Sequence, residues 1–274
     1  KVEAASTGKL SVTGYQDYND AQKILKEVNK YRKKNGRKAL KMDRGLTNSA
    51  IMRGFETTIY IPETSPHRRP NGKLSKSINK KIIYENCAQS AETTPKQIVK
   101  GWINSSTHRK GLLLSNAKSV GVAAVTVVSR DGYEANTWVL DFSSSKAKKV
   151  EKSKVRKQFT KNIVTKNSYL KKSYLKLDSR YGTIWETEKM QMKPTYQGKM
   201  MKEYGVYPTV INTSSFTSWK SSNPSVASVD SNGRITGNKA GTATISAKLK
   251  TGTKITISKK IKVVPTNQQI DPWE

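Results

Sequence analysis

The chain has 274 residues, 34% hydrophobic content and a formal net charge of +31, from 51 Lys and Arg against 20 Asp and Glu. No apolar run reaches about 18 residues, which excludes a membrane-spanning helix, and a single cysteine, Cys87, excludes an internal disulfide and any cysteine-rich metal site. The mean hydropathy of -0.70 is low, yet five Trp and twelve Tyr supply too much apolar area for wholesale disorder.

The length allows two domains of ordinary size. A surface this basic attracts polyanions: cell-wall polymers, membrane head groups or nucleic acid. The basic residues are spread along the whole chain rather than gathered with stacking aromatics, so generic polyanion affinity is expected over base recognition.

Residues 1–14 are small and polar and are expected to form a flexible start. They open "KVEAASTGKLS" without Met, which fits a mature exported product. The segment "YNDAQKILKEVNKYRKKNG" predicts an amphipathic helix. Ile24, Leu25, Val28 and Tyr31 fall at helical spacing, Asn19 or Asp20 can cap it, and Gly36 can end it. A second helix pattern runs from about Leu46 to Ile59, with Ile51, Met52 and Phe55 on its apolar face.

The prolines and Asn71-Gly72 of "IPETSPHRRPNGK" predict a turn-rich loop. In "TTPKQIVKGWINSS" Thr94 caps a third helix, Pro95 suits its first turn, and Ile98, Val99 and Trp102 form a buried stripe. The run "SVGVAAVTVVSRDGYEANTWVLDFSS" predicts two strands joined at "SRDG". Helices followed by strands make this part α+β. Residues 148–168 are Lys-rich and lack Gly and Pro, and are expected to be a solvated linker or helical spacer. Beyond them short alternating runs such as "ATISAKL" and "KITISKKIKVV" predict an all-β domain, with residues 266–274 as a loose tail.

Two stretches carry family resemblances. The words "TSWKSSNPSVASVDSNGRITGNKAGTATISAK" resemble the bacterial immunoglobulin-like domain of group 2, over residues 169–265. Trp219 supplies a large core side chain, Asn232-Gly233 turns a hairpin holding Val229 and Ile235, and Gly241 permits a close approach. The resemblance implies a β-sandwich that serves as spacer or adhesive on secreted and surface proteins, and no catalytic set is visible in it.

The first part, residues 15–147, resembles the CAP superfamily of cysteine-rich secretory proteins, antigen 5 and pathogenesis-related proteins, in its bacterial SCP-like branch. The words "VNKYRKKNGRKALKMDRGLTNSA", "HRRPNG", "YENCAQ", "TPKQIVKGWINSSTHRKGLL", "SVGVAAV" and "TWVLDFS" come in the family's order. The resemblance implies an α-β-α sandwich with a cleft where the chain's two histidines, His67 and His108, converge beside Glu85. Three departures stand out: Tyr84 replaces a glycine and narrows the cleft, Ser105 stands where eukaryotic members carry a second Glu, and Glu56 is expected to supply the missing charge.

Two imidazoles and a carboxylate suit a divalent ion such as zinc, with His67 and His108 as ligands and one position left open. Water activated on such an ion attacks esters and amides, although no "HExxH" helix preorganises these residues. Cys87 and Ser106 lie near the histidines as candidate nucleophiles, against the plain reading of Cys87 as a small buried apolar residue. Asn86 is expected to bond backbone near the cleft, Arg68 and Arg69 to clamp an anion or stay solvated, and Trp102 and Trp138 to anchor the core.

Three functions remain open at this point. The first is a secreted or surface-bound, non-enzymatic binding and adhesion protein, with a cleft for a small ligand or ion and a basic surface for anionic wall or host polymers. The second is a metal-dependent hydrolase using His67, His108 and Glu85. The third is a charge-driven nucleic-acid binder.

Overall fold

The computed structural model describes residues 7–59, 67–90, 93–179 and 182–267. The chain divides into two compact units. One is Thr13–Lys161, and the other joins the chain up to Val12 with the chain from Asn162 onward.

The first unit is built around one sheet. Its elements are β1 (Thr7–Asp17, which starts in the other unit), α1 (Tyr18–Lys34), β2 (Lys41–Met42), α2 (Arg44–Thr57), β3 (Tyr84–Ser90), α3 (Pro95–Asn104), α4 (Ser106–Leu112), β4 (Ser119–Val128), β5 (Glu134–Ser143) and β6 (Arg156–Lys166). The strand order is β3-β5-β4-β1-β6, with β2 beside β4. The β4–β5 hairpin closes where expected, through Ser129 N–H to the Tyr133 carbonyl at 2.8 Å, with Gly132 at φ 87°.

β4 is buried along nearly its whole length because both of its faces are covered. On one face Val120, Val122 and Ala124 of β4 and Trp138, Leu140 and Phe142 of β5 pack with Ile24 and Val28 of α1 and Ile98, Val99 and Trp102 of α3. The alternate face takes α2, and glycine makes that approach possible. A Cβ on Gly121 would sit 2.2 Å from the Leu46 carbonyl, and one on Gly54 would sit 2.7 Å from Val125. This is an α-β-α sandwich, and Trp102 and Trp138 anchor it.

The helix ends refine the sequence reading. α1 is capped by Asp17, whose side chain accepts from the Asp20 N–H, rather than by Asn19 or Asp20. α2 starts two residues before the pattern because Asp43 caps it. α3 carries the expected Thr94 cap, completed by Gln97 into a capping box.

Two expected boundaries are corrected. The Lys-rich stretch 148–168 is not a spacer: Glu151 is buried and paired with Arg44 at 3.0 Å, and from Arg156 the chain is the strand β6. Its alternation places Ile163 and Thr165 inward while lysines point out, a period-two pattern hidden by the charge. Residues 7–14 are likewise strand rather than frayed end, with Leu10 and Val12 fully buried. Residues 1–6 and 268–274, the rest of the expected flexible ends, lie outside the described residues.

The second unit is all-β apart from α5 (Lys199–Glu203) and short 3-10 turns. Its strands are β7 (Leu175–Asp178), β8 (Thr183–Trp185), β9 (Lys189–Gln191), β10 (Lys193–Tyr196), β11 (Thr209–Val210), β12 (Phe216–Ser221), β13 (Ala227–Val229), β14 (Arg234–Gly237), β15 (Gly241–Leu249) and β16 (Thr256–Val264). They form sheets of order β11-β10-β7, β12-β15-β16-β8 and β13-β14-β9. Val229 pairs with Ile235 across the expected Asn232-Gly233 turn. Gly233 stands at φ 75° with the Trp219 ring so close that a Cβ would meet it at 2.7 Å, so any side chain there would be both strained and crowded. The unit also claims the start of β1, where Ser11 N–H donates to Ser215 Oγ at 2.8 Å.

Candidate functional site

Glu85 sits on β3 directly across from Asp141 on β5, and both are buried under α2. A carboxylate there needs a partner, because an unpaired buried charge costs several kcal/mol. Arg53 of α2 supplies it as a fork, with Nε to Glu85 Oε2 at 2.9 Å and Nη2 to Oε1 at 3.2 Å. Its remaining nitrogen Nη1 reaches Glu56 Oε2 at 3.1 Å, one helical turn on. Arg69 caps Glu56 from the loop side at 2.7 Å and holds Ser77 Oγ at 3.0 Å.

The loop that delivers His67 and Arg69 is folded tightly. His67 carbonyl accepts from Ser75 N–H at 2.9 Å, and Arg69 N–H donates to the Lys73 carbonyl at 2.8 Å around Gly72 at φ 83°. Ser65 and Pro66 of the "SPH" word lie outside the described residues. His67 Nδ1 then meets Glu85 Oε1 at 2.9 Å. Burial pushes the Glu85 carboxyl up, but the His67 hydrogen bond and the Arg53 charge outweigh it and hold the pKa at about 2.

The neighbouring acids behave oppositely. Among the described residues neither Asp141 oxygen has a hydrogen-bond partner, and burial followed by the Glu85 charge pushes its pKa well up, which favours the protonated acid. Cys87, two residues along β3 from Glu85, is a thiol for the same two reasons. Two arginines, Arg53 and Arg69, thus pair with two carboxylates, Glu85 and Glu56, in this cluster.

His108 is held separately, near the start of α4. Its Nδ1 meets Ser105 Oγ at 3.0 Å, and its carbonyl accepts from Asn86 Nδ2 at 3.0 Å. Burial, then the neighbouring His67, lowers its pKa and leaves the ring neutral. Asn86 thus does bond backbone, while its Oδ1 is buried without a partner. Tyr84 OH donates to the Thr107 carbonyl at 2.9 Å and ties β3 to α4.

Beside His67 and Glu85 lies a cavity of about 320 Å³ with an apolar wall of Leu74, Ile82, Ile83 and Tyr84 and one cation, Lys76, at its edge. Tyr84 lines this cavity rather than filling it, so it narrows the cleft without closing it.

The donor atoms that gather in the structure differ from the expected ligand pair, His67 and His108. The donor atoms that come within 4.8 Å of one another belong to His67, Glu85 and Cys87, and His108 is outside that group. Glu85 gives both oxygens to Arg53, Cys87 is a protonated thiol, and His67 Nδ1 is spent on Glu85. A divalent cation held by Glu85 would sit against the buried Arg53 guanidinium, whereas Nε2 of His67 and of His108 has no hydrogen-bond partner among the described residues. Glu56 is corrected too: it is a fully buried partner of Arg53 and Arg69, not a free cleft charge. Arg69 is neither solvated nor an anion clamp, and Ser106 is exposed at the helix start while Ser105 meets the imidazole.

Arg53 and Asp141 went unnoticed in the sequence. The available signal was a charged pair three residues apart inside the apolar segment "IMRGFET", and an acid inside "TWVLDFS". Charges embedded in apolar stretches are buried, and buried charges come with partners.

The comparisons agree with this architecture. Residues 25–142 match the cysteine-rich secretory protein family, CAP, and residues 197–261 match the bacterial Ig-like domain, group 2. Over 129 residues the chain is 31% identical to the uncharacterized protein YkwD of Bacillus subtilis, covering 46% of this chain and 48% of that protein. The chain thus spans about half the length of this relative. An SCP-domain extracellular protein from Bacillus anthracis aligns over 46% of this chain and 41% of its own, at 19% identity and TM-score 0.35. An outer surface protein from Borrelia burgdorferi aligns over 47% and 98%, at 18% identity and TM-score 0.34. With its three-layer first unit, its β-rich second unit and these two family matches, the chain carries a CAP domain over residues 25–142 followed by a bacterial immunoglobulin-like domain over residues 197–261.

Proposed function

We propose that this is a secreted or surface-associated bacterial protein that binds anionic wall or host polymers without catalysing a reaction. The CAP cleft serves as a small-ligand pocket and the immunoglobulin-like domain as spacer and adhesive. The observation that carries this reading is the charge: +31 in total, while the buried cluster around Arg53 is balanced within itself, so the excess faces solvent. The description of the first family as secretory supports the location.

Among the described residues a protein nucleophile for the hydrolase alternative is not activated. Cys87 is a thiol, and His108 Nε2 has no hydrogen-bond partner among the described residues to orient the ring against Ser105. The Ser–His contact is a helix cap: Ser105 also accepts from the His108 N–H. Affinity of the full chain for dextran sulfate, measured at 50 and 200 mM NaCl, tests the proposal. A loss of about tenfold or more is expected from counterion release. Absence of binding at low salt, or binding indifferent to salt, overturns it.

A further inference from the structure

The sheet β12-β15-β16-β8 of the second unit contains no acidic residue in any of its strands. Its inward residues, among them Ala243, Ile245, Ile257 and Ile261, are buried. Alternation sends Lys220, Lys248, Lys260 and Lys262 to the opposite, solvent face, where all are exposed.

The register sets what surrounds them. On the longest strand pair Lys260 stands across from Thr244 and Lys262 across from Thr242, while Lys248 stands across from Thr256. On the next pair Lys220 stands across from Ser246. Each lysine is thus flanked by a hydroxyl, and no two lysines oppose each other directly, an arrangement that avoids like-charge repulsion. Asp178 meets Lys259, whose position alternates to the other face, at 3.9 Å, and Glu186, just past β8, donates its N–H to the Val264 carbonyl at the end of β16.

The result is a sheet face of ammonium groups and hydroxyls with no carboxylate in its four strands. Successive outward positions along a strand are roughly 7 Å apart and neighbouring strands about 4.8 Å apart. We infer that this face is the docking surface for a linear anionic polysaccharide, whose acidic groups meet the lysines and whose hydroxyls meet the Ser and Thr side chains. The inference rests on the polyanion reading given above and locates it.

The chemistry of the face favours a glycan over nucleic acid. Single-stranded nucleic acid is held by rows of stacking aromatics, and the exposed aromatic in these strands is Trp185 alone, at the end of β8. Arginine, which recognises phosphates and base edges with a planar fork, is absent from the four strands.

The test measures full-length chain against polygalacturonate, dextran sulfate, uncharged dextran and an oligothymidylate. Three proteins are compared: wild type, the face variant K220Q/K248Q/K260Q/K262Q, and the control K26Q/K30Q/K33Q/K34Q, which removes equal charge from exposed positions of α1. The face variant is expected to lose at least about tenfold in affinity for the acidic glycans and the control less than about threefold. S258E, a single acid in the middle of the face, gives the same direction of loss if the quadruple variant fails to fold. Equal losses in face and control variants overturn the inference and leave the charge reading standing. Tighter, face-dependent binding of the oligothymidylate replaces the glycan with nucleic acid. A wild type that binds neither acidic glycan removes the charge reading itself.

Discussion

The arginine cluster under α2 and the lysine face of β12-β15-β16-β8 use positive charge in opposite ways. Arg53 is 0% exposed, and two carboxylates account for its fork. The lysines of the face are solvated and have hydroxyl neighbours instead of acids. A buried ion network is costly to break and does little for a partner it cannot reach. An exposed unpaired array contributes little to stability and much to long-range attraction. The buried cluster of the histidine-bearing domain therefore uses its charges to hold a fold, and the lysine face of the immunoglobulin-like domain leaves its charges available.

That contrast can be broken or sharpened by substitution. Arg53→Ala strands Glu85 and Glu56 in the interior and is expected to cost about 3–5 kcal/mol, measured by urea unfolding. Arg53→Lys keeps the charge, loses the fork, and is expected to cost about 2 kcal/mol. If both variants were as stable as wild type, the cluster would not be the structural element described.

The next effect is in pH. The Glu85 pKa falls from an ordinary 4.5 to about 2 in the fold, so its contribution is fully present above pH 4.5 and is lost as pH drops through about 2. One pKa unit is worth about 1.4 kcal/mol, so the contribution is at most about 3.5 kcal/mol. Glu85→Gln is expected to flatten the acid limb of a stability profile over that window.

Asp141 has the reverse sign. Its pKa is raised, so the folded chain keeps a proton that the unfolded chain releases above about pH 4, and the penalty grows as pH rises. Asp141→Asn is expected to gain on wild type progressively between pH 4 and pH 8 in thermal melts. An unchanged difference between those pH values would mean that Asp141 is ionised in place. Smallest of all, each Lys→Gln change on the lysine face is expected to alter stability by no more than about 0.5 kcal/mol.

The two domains were legible in the sequence for a physical reason. Turns and close approaches demand particular residues, so Asn232-Gly233, the Thr94-Pro95 helix start and "SRDG" each announced an element that the structure contains. β6 was hidden because lysines on the outward positions of a strand resemble a solvated linker, and only Ile163 and Thr165 between them carry the period. At the site, the neighbourhood of His67 and Glu85 followed from the family resemblance, and the 2.9 Å contact agrees. The role of Glu56 did not follow, because a carboxylate's availability depends on its partners. Arg53, Arg69 and Asp141 come from three separate segments, and no local pattern brings them together.

The central claim is that the His67–Glu85–Arg53 network is complete without a cation. Equilibrium dialysis of the full chain against 10 µM zinc, with wild type beside His67→Ala and His108→Ala, tests it most directly. The expected result is no stoichiometric zinc in any of the three. One equivalent bound by wild type and lost in either variant would contradict it.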